Sequence, residues 1–287
     1  MSMNAEDVRR HVHSMWSAVA PGWEEHADFI EARGIDVTRR LLADTAPKPG
    51  EHVLELACGT GDVGLAAAGL VAPGEVIVSD VSAEMTAIAT RRAQARGLDN
   101  VTGQTFGVEA IDAAGATFDV ALCREGLMFA VDPSLAVREI ARVLRPGGRV
   151  GVAVWGPRAQ NPWLGVVFDA VAEQLGRPVP PPGAPGPFTL ADADGLRRLL
   201  AGDGFDDVIV RELPVPLSAP SFDVWWTRVV ALAGPLTTML AGMPEAATRE
   251  LAARLQAVVR PFETGDGGLS FPGLALLASG RRAGNAR

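Results

Sequence analysis

Along the middle of the chain, short apolar runs alternate with longer stretches of helical spacing. Val53-Leu-Glu-Leu-Ala57, Val76-Ile-Val-Ser79, Val101 to Phe106, Phe118 to Cys123 and Val150-Gly-Val-Ala-Val-Trp155 are short, apolar and bounded by Gly or acidic residues, which predicts strands. Between them, Asp62 to Leu70, Ala83 to Arg96 and Pro133 to Leu144 predict helices. In the last of these Leu135, Ile140, Val143 and Leu144 form an apolar face, while Arg138, Glu139 and Arg142 face water. Repeated strand, helix, strand units imply an α/β fold, with a mostly parallel sheet covered by helices on both faces and a ligand crevice at the carboxyl ends of the strands.

The flanks read differently. Asp7 to Val19 and Trp23 to Thr45 predict two helices broken at Ala20-Pro21-Gly22, because Pro and Gly together interrupt helices. Trp163 to Leu175 and Leu190 to Gly202 predict further helices, and Phe205 to Leu213 a strand stopped by Pro214 to Pro220. Phe222 to Arg260 predicts two or three helices, and Leu269 to Leu277 a final strand. The expected organisation is a helical cap over 1–46, a core over 47–213, a helical cap insertion over 214–265, and a last core strand with its tail over 266–287.

Composition narrows the chemistry. The 287 residues are 48% apolar and 21% charged, ample for a core, and carry a formal charge of −8. That acidic balance argues against nucleic-acid binding through phosphate neutralisation. The chain has no Tyr, two Cys and four His, and Lys48 is its single Lys. A Tyr–Lys dehydrogenase site and a phosphate-binding Walker loop are thereby excluded, and Cys58, Cys123 and the scattered His residues do not have metal-ligand spacing. With no apolar leader and no apolar run of membrane-spanning length, two distant cysteines fit a reducing cytoplasm.

The sharpest local signal is Glu55-Leu-Ala-Cys-Gly59-Thr-Gly61-Asp-Val-Gly64, where a predicted strand runs straight into a predicted helix. Glycines there let a ligand approach the backbone, and the helix start offers free N–H groups. Asp80, at the end of the second strand, can accept hydrogen bonds from both hydroxyls of a ribose. A nucleoside-containing cofactor follows. Glu55 suits a cofactor with a positive amino group better than one with a pyrophosphate, since it would add negative charge beside two phosphates. A nicotinamide dehydrogenase remains the alternative that GxGxxG with Asp80 suggests.

At this point the sequence resembles a known family. Val53-Leu-Glu-Leu-Ala-Cys-Gly-Thr-Gly61 is similar to motif I of the class I S-adenosylmethionine-dependent methyltransferases, with Asp80 at their ribose-binding acid. Ser79 to Met85, Phe118 to Met128 and Arg142-Val-Leu-Arg-Pro-Gly-Gly-Arg149 extend the likeness, the last two resembling the small-molecule enzymes that include the ubiquinone and menaquinone biosynthesis methyltransferases. The resemblance implies a Rossmann-like seven-stranded sheet and S-adenosyl-L-methionine as cofactor. It places Glu55, Ala57, Cys58, Gly59 and Gly61 at the methionine moiety, and Asp80 at the ribose. Val81, Met85, Val108 and Glu109 fall at the adenine, and Cys123 with Arg124 beside the sulfonium. Gly107 stands where an Asp usually accepts the adenine amino group, and Ala57 where many members have Gly.

The implied activity is methyl transfer to oxygen, carbon or nitrogen of a small, rather apolar molecule. A non-methylating reaction such as cyclisation on the same fold is the other possibility, because fold does not fix chemistry. His26 is the candidate general base, weighed against a capping histidine. Trp16, Trp23, Met128 and Trp225 are candidate substrate contacts, weighed against ordinary core packing. Arg124-Glu125 lies at the crevice by topology. Trp225 and Trp226 cannot share one helix face, so one of them leaves the core stripe, for a substrate cavity or for the second subunit of a homodimer.

Overall fold

The structure is a computed structural model describing residues 4–284. Seven strands form one sheet: β1 (Val53–Leu56), β2 (Val76–Asp80), β3 (Val101–Thr105), β4 (Phe118–Arg124), β5 (Leu144–Trp155), β6 (Phe205–Pro214) and β9 (Leu274–Arg282), in the order β3-β2-β1-β4-β5-β9-β6. Between β6 and β9 in sequence, β7 (Leu217–Ala219) and β8 (Leu269–Phe271) pair as a separate two-stranded sheet. The first five strands of the main sheet pair in parallel, and β9 lies antiparallel between β5 and β6. All four residues of β1 are buried, as a central strand covered on both faces requires.

Right-handed crossovers decide where the helices lie. The sheet grows one way from β1 through β2 to β3, and the other way from β4 to β5. Helices α3 (Asp62–Val71) and α4 (Ala83–Ala95) therefore cover one face, and α5 (Pro133–Val143) covers the other. Helix α2 (Ala27–Thr45) joins α3 on its face, and α7 (Ala193–Gly202) joins α5. Ser82 and Asp132 cap α4 and α5, their side chains accepting the N–H of Met85 and Leu135. A second apolar core forms beside the strand ends, where α6 (Pro162–Leu175), α8 (Phe222–Leu232), α9 (Gly234–Ala241) and α10 (Glu245–Val258) bury Phe168, Trp225, Leu236, Leu255 and Phe271.

Three local expectations are corrected. Helix α1 (Ala5–Glu25) runs straight through Pro21 and Gly22, and the chain turns at His26 instead. Packing overrides the breaker residues: Val19 and Ala20 bury against Met85 and Ile88 of α4, and the Trp23 indole N–H donates to the Leu232 carbonyl at 3.0 Å. Gly22 itself fits tightly, since a Cβ there would lie 2.8 Å from the Ala231 carbonyl oxygen. Strand β5 begins at Leu144 rather than at Val150. The expected last strand is two strands, β8 and β9, separated at Pro272-Gly273, where a Cβ on Gly273 would lie 2.0 Å from the Val215 carbonyl oxygen. Trp226 leaves the buried stripe that Trp225 occupies, and packs half-buried against the second core.

Candidate active site

The turn after β1 is the base of the site. Ala57, Gly59 and Gly61 all adopt positive φ, at 50°, 52° and 84°. Ala57 holds this conformation against the clash of its own Cβ, at a cost on the order of 1–2 kcal/mol. A Cβ on Gly59 would lie 3.0 Å from the Trp23 ring, so glycine lets that indole close over the turn. Gly61 is the N-cap of α3 and faces Ala89 and Leu65 rather than open space. Gly64 completes the pattern by letting α3 approach the sheet: a Cβ there would lie 2.5 Å from Val78 and 2.6 Å from Glu55 Oε2.

Two acids hold this turn. The Asp80 carboxylate accepts the Gly59 N–H and the Ser82 N–H, both at 3.0 Å. The Glu55 carboxylate accepts the Gly64 N–H at 2.8 Å and the Val63 N–H at 3.2 Å, at the positive end of α3. Burial raises both carboxyls above their ordinary values, Glu55 to about 8, against the opposing pull of these amide donors.

A cavity of about 510 Å³ opens above the turn, in the range of small-molecule and cofactor sites. Glu55, Ala57, Cys58, Gly59 and Asp80 line its floor, and Val81, Met85, Val108 and Glu109 one wall. Gly107 also lines it, and a Cβ there would find only Val81 Cγ2, at 3.9 Å. An Asp would thus fit at Gly107, so glycine is a change of chemistry and not a steric requirement. Glu109 closes the wall: Oε1 accepts from Arg9 Nη2 of α1 at 2.8 Å and from the Asp132 N–H at 2.9 Å, while Oε2 accepts the Val131 N–H at 3.2 Å. This observed set fits a nucleoside with an aminoacyl end: a carboxylate for a ribose, apolar side chains for a flat base, and a buried acid near backbone donors.

A second, apolar cavity of about 100 Å³ adjoins the first. The two share Trp16, Trp23, Glu125 and Phe129, and the smaller is walled further by Met128, Trp155, Trp163, Phe168 and Trp225. The polar edges of Trp163 and Trp225 are already occupied. Trp225 Nε1 donates to the Trp163 carbonyl at 3.1 Å, and Trp163 Nε1 to Asn161 Oδ1 at 3.2 Å. Their ring faces are what remain for a ligand.

Several expected site residues lie elsewhere. His26 lines neither cavity; it forms the turn between α1 and α2, where its N–H caps α1 on the Gly22 carbonyl. Cys123 and Gly61 are likewise outside both linings, the Cys123 thiol being packed beside Gly126. Arg124 borders the cofactor-sized cavity, but its guanidinium is engaged with Asp62 at 2.6 Å and Thr38 at 2.9 Å. Burial pushes the Cys123 thiol up to about 12 and the Cys58 thiol well above its ordinary value, so neither is a nucleophile near neutrality. Arg33, Trp155 and Trp163 were not anticipated. Arg33 meets Glu125 and both indoles, and all four line the smaller cavity, only through tertiary packing, and no local pattern marks Arg33 or the indoles.

A parallel sheet with an antiparallel strand set between its fifth and last strands, above a glycine turn and a strand-terminal acid, defines a class I methyltransferase. A family described as a methyltransferase domain matches residues 53–148. A ubiquinone/menaquinone biosynthesis C-methyltransferase of Bdellovibrio bacteriovorus is 32% identical, over 61% of this chain and 72% of that one. Nocamycin O-methyltransferase of Saccharothrix syringae is 34% identical, over 70% and 78%. The YcgJ protein of Bacillus subtilis shares the fold, at 21% identity and a TM-score of 0.58 over 86% of this chain and 97% of that one. The chain belongs to the small-molecule S-adenosylmethionine-dependent methyltransferases similar to the ubiquinone/menaquinone biosynthesis enzymes. S-adenosylmethionine is its cofactor, and a nicotinamide dehydrogenase is set aside. No helix among the described residues is long and apolar enough to cross a membrane.

Proposed function

We propose that the larger cavity holds S-adenosylmethionine and the smaller one an apolar acceptor, with transfer at the residues the two cavities share. The observation that carries this reading is their meeting at Trp16, Trp23, Glu125 and Phe129. Glu55 and the turn from Ala57 to Gly59 would hold the aminoacyl end, Asp80 the ribose, and Val81, Met85 and Val108 the adenine. The acceptor cavity would then lie between the core and a cap formed from the described residues of 1–46 together with 214–265.

When bound, the cofactor supplies a methyl group already activated on a sulfonium. The chain has then to orient the acceptor and exclude water, and orientation alone can remove a large part of the barrier. Trp16 and Trp23, edge to face with centroids 5.8 Å apart, cover the junction, and Trp16 is also edge to face with Phe129 at 5.0 Å. A net charge of −8 supports a small-molecule partner over a nucleic acid. Two buried free thiols support a cytoplasmic setting.

The test is product mass after incubation of the protein and S-adenosylmethionine with a panel of small apolar acceptors. A product heavier by one CH2, a methyl group in place of a departing proton, is expected. Turnover to a product without that mass would replace methyl transfer with another reaction on the same fold, such as a cyclisation.

A further inference from the structure

Arg9 and Arg124 border the larger cavity, and Arg33 and Arg228 the smaller one. Arg9 is paired with Glu109 at 2.8 Å, Arg124 with Asp62 at 2.6 Å and Arg33 with Glu125 at 3.0 Å. Arg228 of α8 differs. It is half-buried, and among the described residues it has neither an ion pair nor a hydrogen bond. It is held instead on Phe29 of α2, with its guanidinium carbon 3.9 Å from the ring centroid. The five N–H donors of a guanidinium lie in its own plane, so a contact between its central carbon and a ring leaves them for another group.

The consequence is a charge imbalance. Arg33, Glu125 and Arg228 are the charged side chains lining the smaller cavity, and the first two neutralise one another. What remains is one positive charge beside aromatic and aliphatic walls. A cation partly removed from water gains from an anion that joins it, so the cavity favours a ligand with a single negative charge. A planar guanidinium can give two parallel N–H bonds to a carboxylate, a fit that an ammonium lacks. A phosphate monoester brings close to two charges near neutrality and would leave an excess beside Glu125. Arg228 does not line the larger cavity, so a group bound to it lies away from the junction at Trp16, Trp23, Glu125 and Phe129.

We propose that Arg228 is a specificity-determining residue that binds a carboxylate of the methyl acceptor. The acceptor is thereby an apolar molecule with one acid group, remote from the atom that is methylated. The acid is a handle: it is not esterified, and it passes unchanged into the product. This rests on the cavity assignment made under Proposed function, because the handle is placed by its distance from the cofactor-sized cavity. A charge-assisted pair in a partly dry site separates an acid from its neutral amide, which has the same shape and lacks the charge.

The experiment is calorimetry near neutral pH on the protein saturated with S-adenosylhomocysteine, titrated with cinnamate and with cinnamamide. The wild-type chain is expected to prefer cinnamate by at least about tenfold. Arg228→Gln, which keeps a polar side chain and removes the charge, is expected to abolish that preference while leaving S-adenosylhomocysteine affinity and the melting temperature in place. Equal wild-type affinity for the two probes, or binding of neither, overturns the proposal without reference to any variant. Retained preference in a folded Arg228→Gln protein overturns it as well. Formation of methyl cinnamate on incubation with S-adenosylmethionine would put the acid at the junction and overturn the handle. Displacement of S-adenosylhomocysteine by cinnamate, or failure of S-adenosylhomocysteine to bind the wild-type chain, would instead overturn the cavity assignment, and this proposal with it.

Discussion

Arg124 Nη2 lies 2.6 Å from Asp62 Oδ2, joining the end of β4 to the first residue of α3 beneath α2. Asp62 also accepts from Arg92 of α4 at 2.6 Å, and Arg92 reaches Glu31 of α2 at 2.6 Å. Burial alone would raise the Asp62 carboxyl, yet the two guanidinium groups hold it below its ordinary value. Space is closed as well, since a Cβ on Gly34 would lie 2.2 Å from Arg124 Nη1.

Breaking this network by removing one charge leaves its partner buried and under-compensated. Arg124→Ala is expected to destabilise the fold by about 3–5 kcal/mol, measured by urea unfolding. A depressed carboxyl adds stability above its unfolded value and loses it as pH falls through the folded one. The wild-type chain is therefore expected to lose this contribution in acid below the ordinary aspartate range, and Asp62→Asn to lose it at all pH values. Unfolding free energy of Asp62→Asn equal to wild type at pH 7 would contradict the assignment.

Arg9 and Glu109 connect α1 to the wall of the larger cavity at 2.8 Å, with the Arg9 side chain 42% exposed. At that exposure the ion pair adds little to stability, less than about 1 kcal/mol. Its effect is expected in kinetics, because α1 carries Trp16 and Trp23 over both cavities. Arg9→Ala should release S-adenosylhomocysteine a few-fold faster in stopped-flow displacement, with the association rate nearly unchanged. A faster association with no change in release would show that the contact does not retain ligand.

Asp80 binds two backbone amides of the turn and still borders the cavity. Asp80→Ala is expected to weaken S-adenosylhomocysteine binding by roughly 1–3 kcal/mol in calorimetry, from the loss of charge-assisted hydrogen bonds to ligand and turn together. Unchanged affinity would mean that the ribose lies elsewhere.

The part of the site legible in the sequence is the part built from one continuous stretch. From Val53 to Asp80, strand, glycine turn, helix and terminal acid follow one another in the chain, and Glu55 and Asp80 bind amides of this same stretch, so they could be read in order. The acceptor cavity is different. Arg33 and Glu125 are 92 residues apart, and Trp155, Trp163 and Trp225 come from three further elements. Of these, Trp225 drew notice through the adjacent Trp225–Trp226 pair and Glu125 by its place after a strand end, while Arg33, Trp155 and Trp163 have no local spacing to announce them. Helix α1 misled for a related reason: Pro21 is a breaker by propensity, and packing against α4, α8 and α9 keeps the helix intact.

Glu55 links pH to cofactor binding. In the free chain burial raises its carboxyl to about 8, so near pH 7 it is largely protonated. A raised carboxyl contributes stability below its ordinary value of 4.5, and that contribution is lost as pH rises through about 8. A ligand amino group bearing positive charge favours the ionised form, lowers this value and drives a proton off. Affinity for S-adenosylhomocysteine is therefore expected to increase from pH 6 to pH 8, and to stop rising above it, where the ligand's own amino group begins to lose its proton. Calorimetry at pH 7 in buffers of different ionisation enthalpy should report proton release, and Glu55→Gln should remove both the release and the pH dependence. Proton uptake on binding, or the same pH dependence in Glu55→Gln, would show that the amino group does not meet this acid.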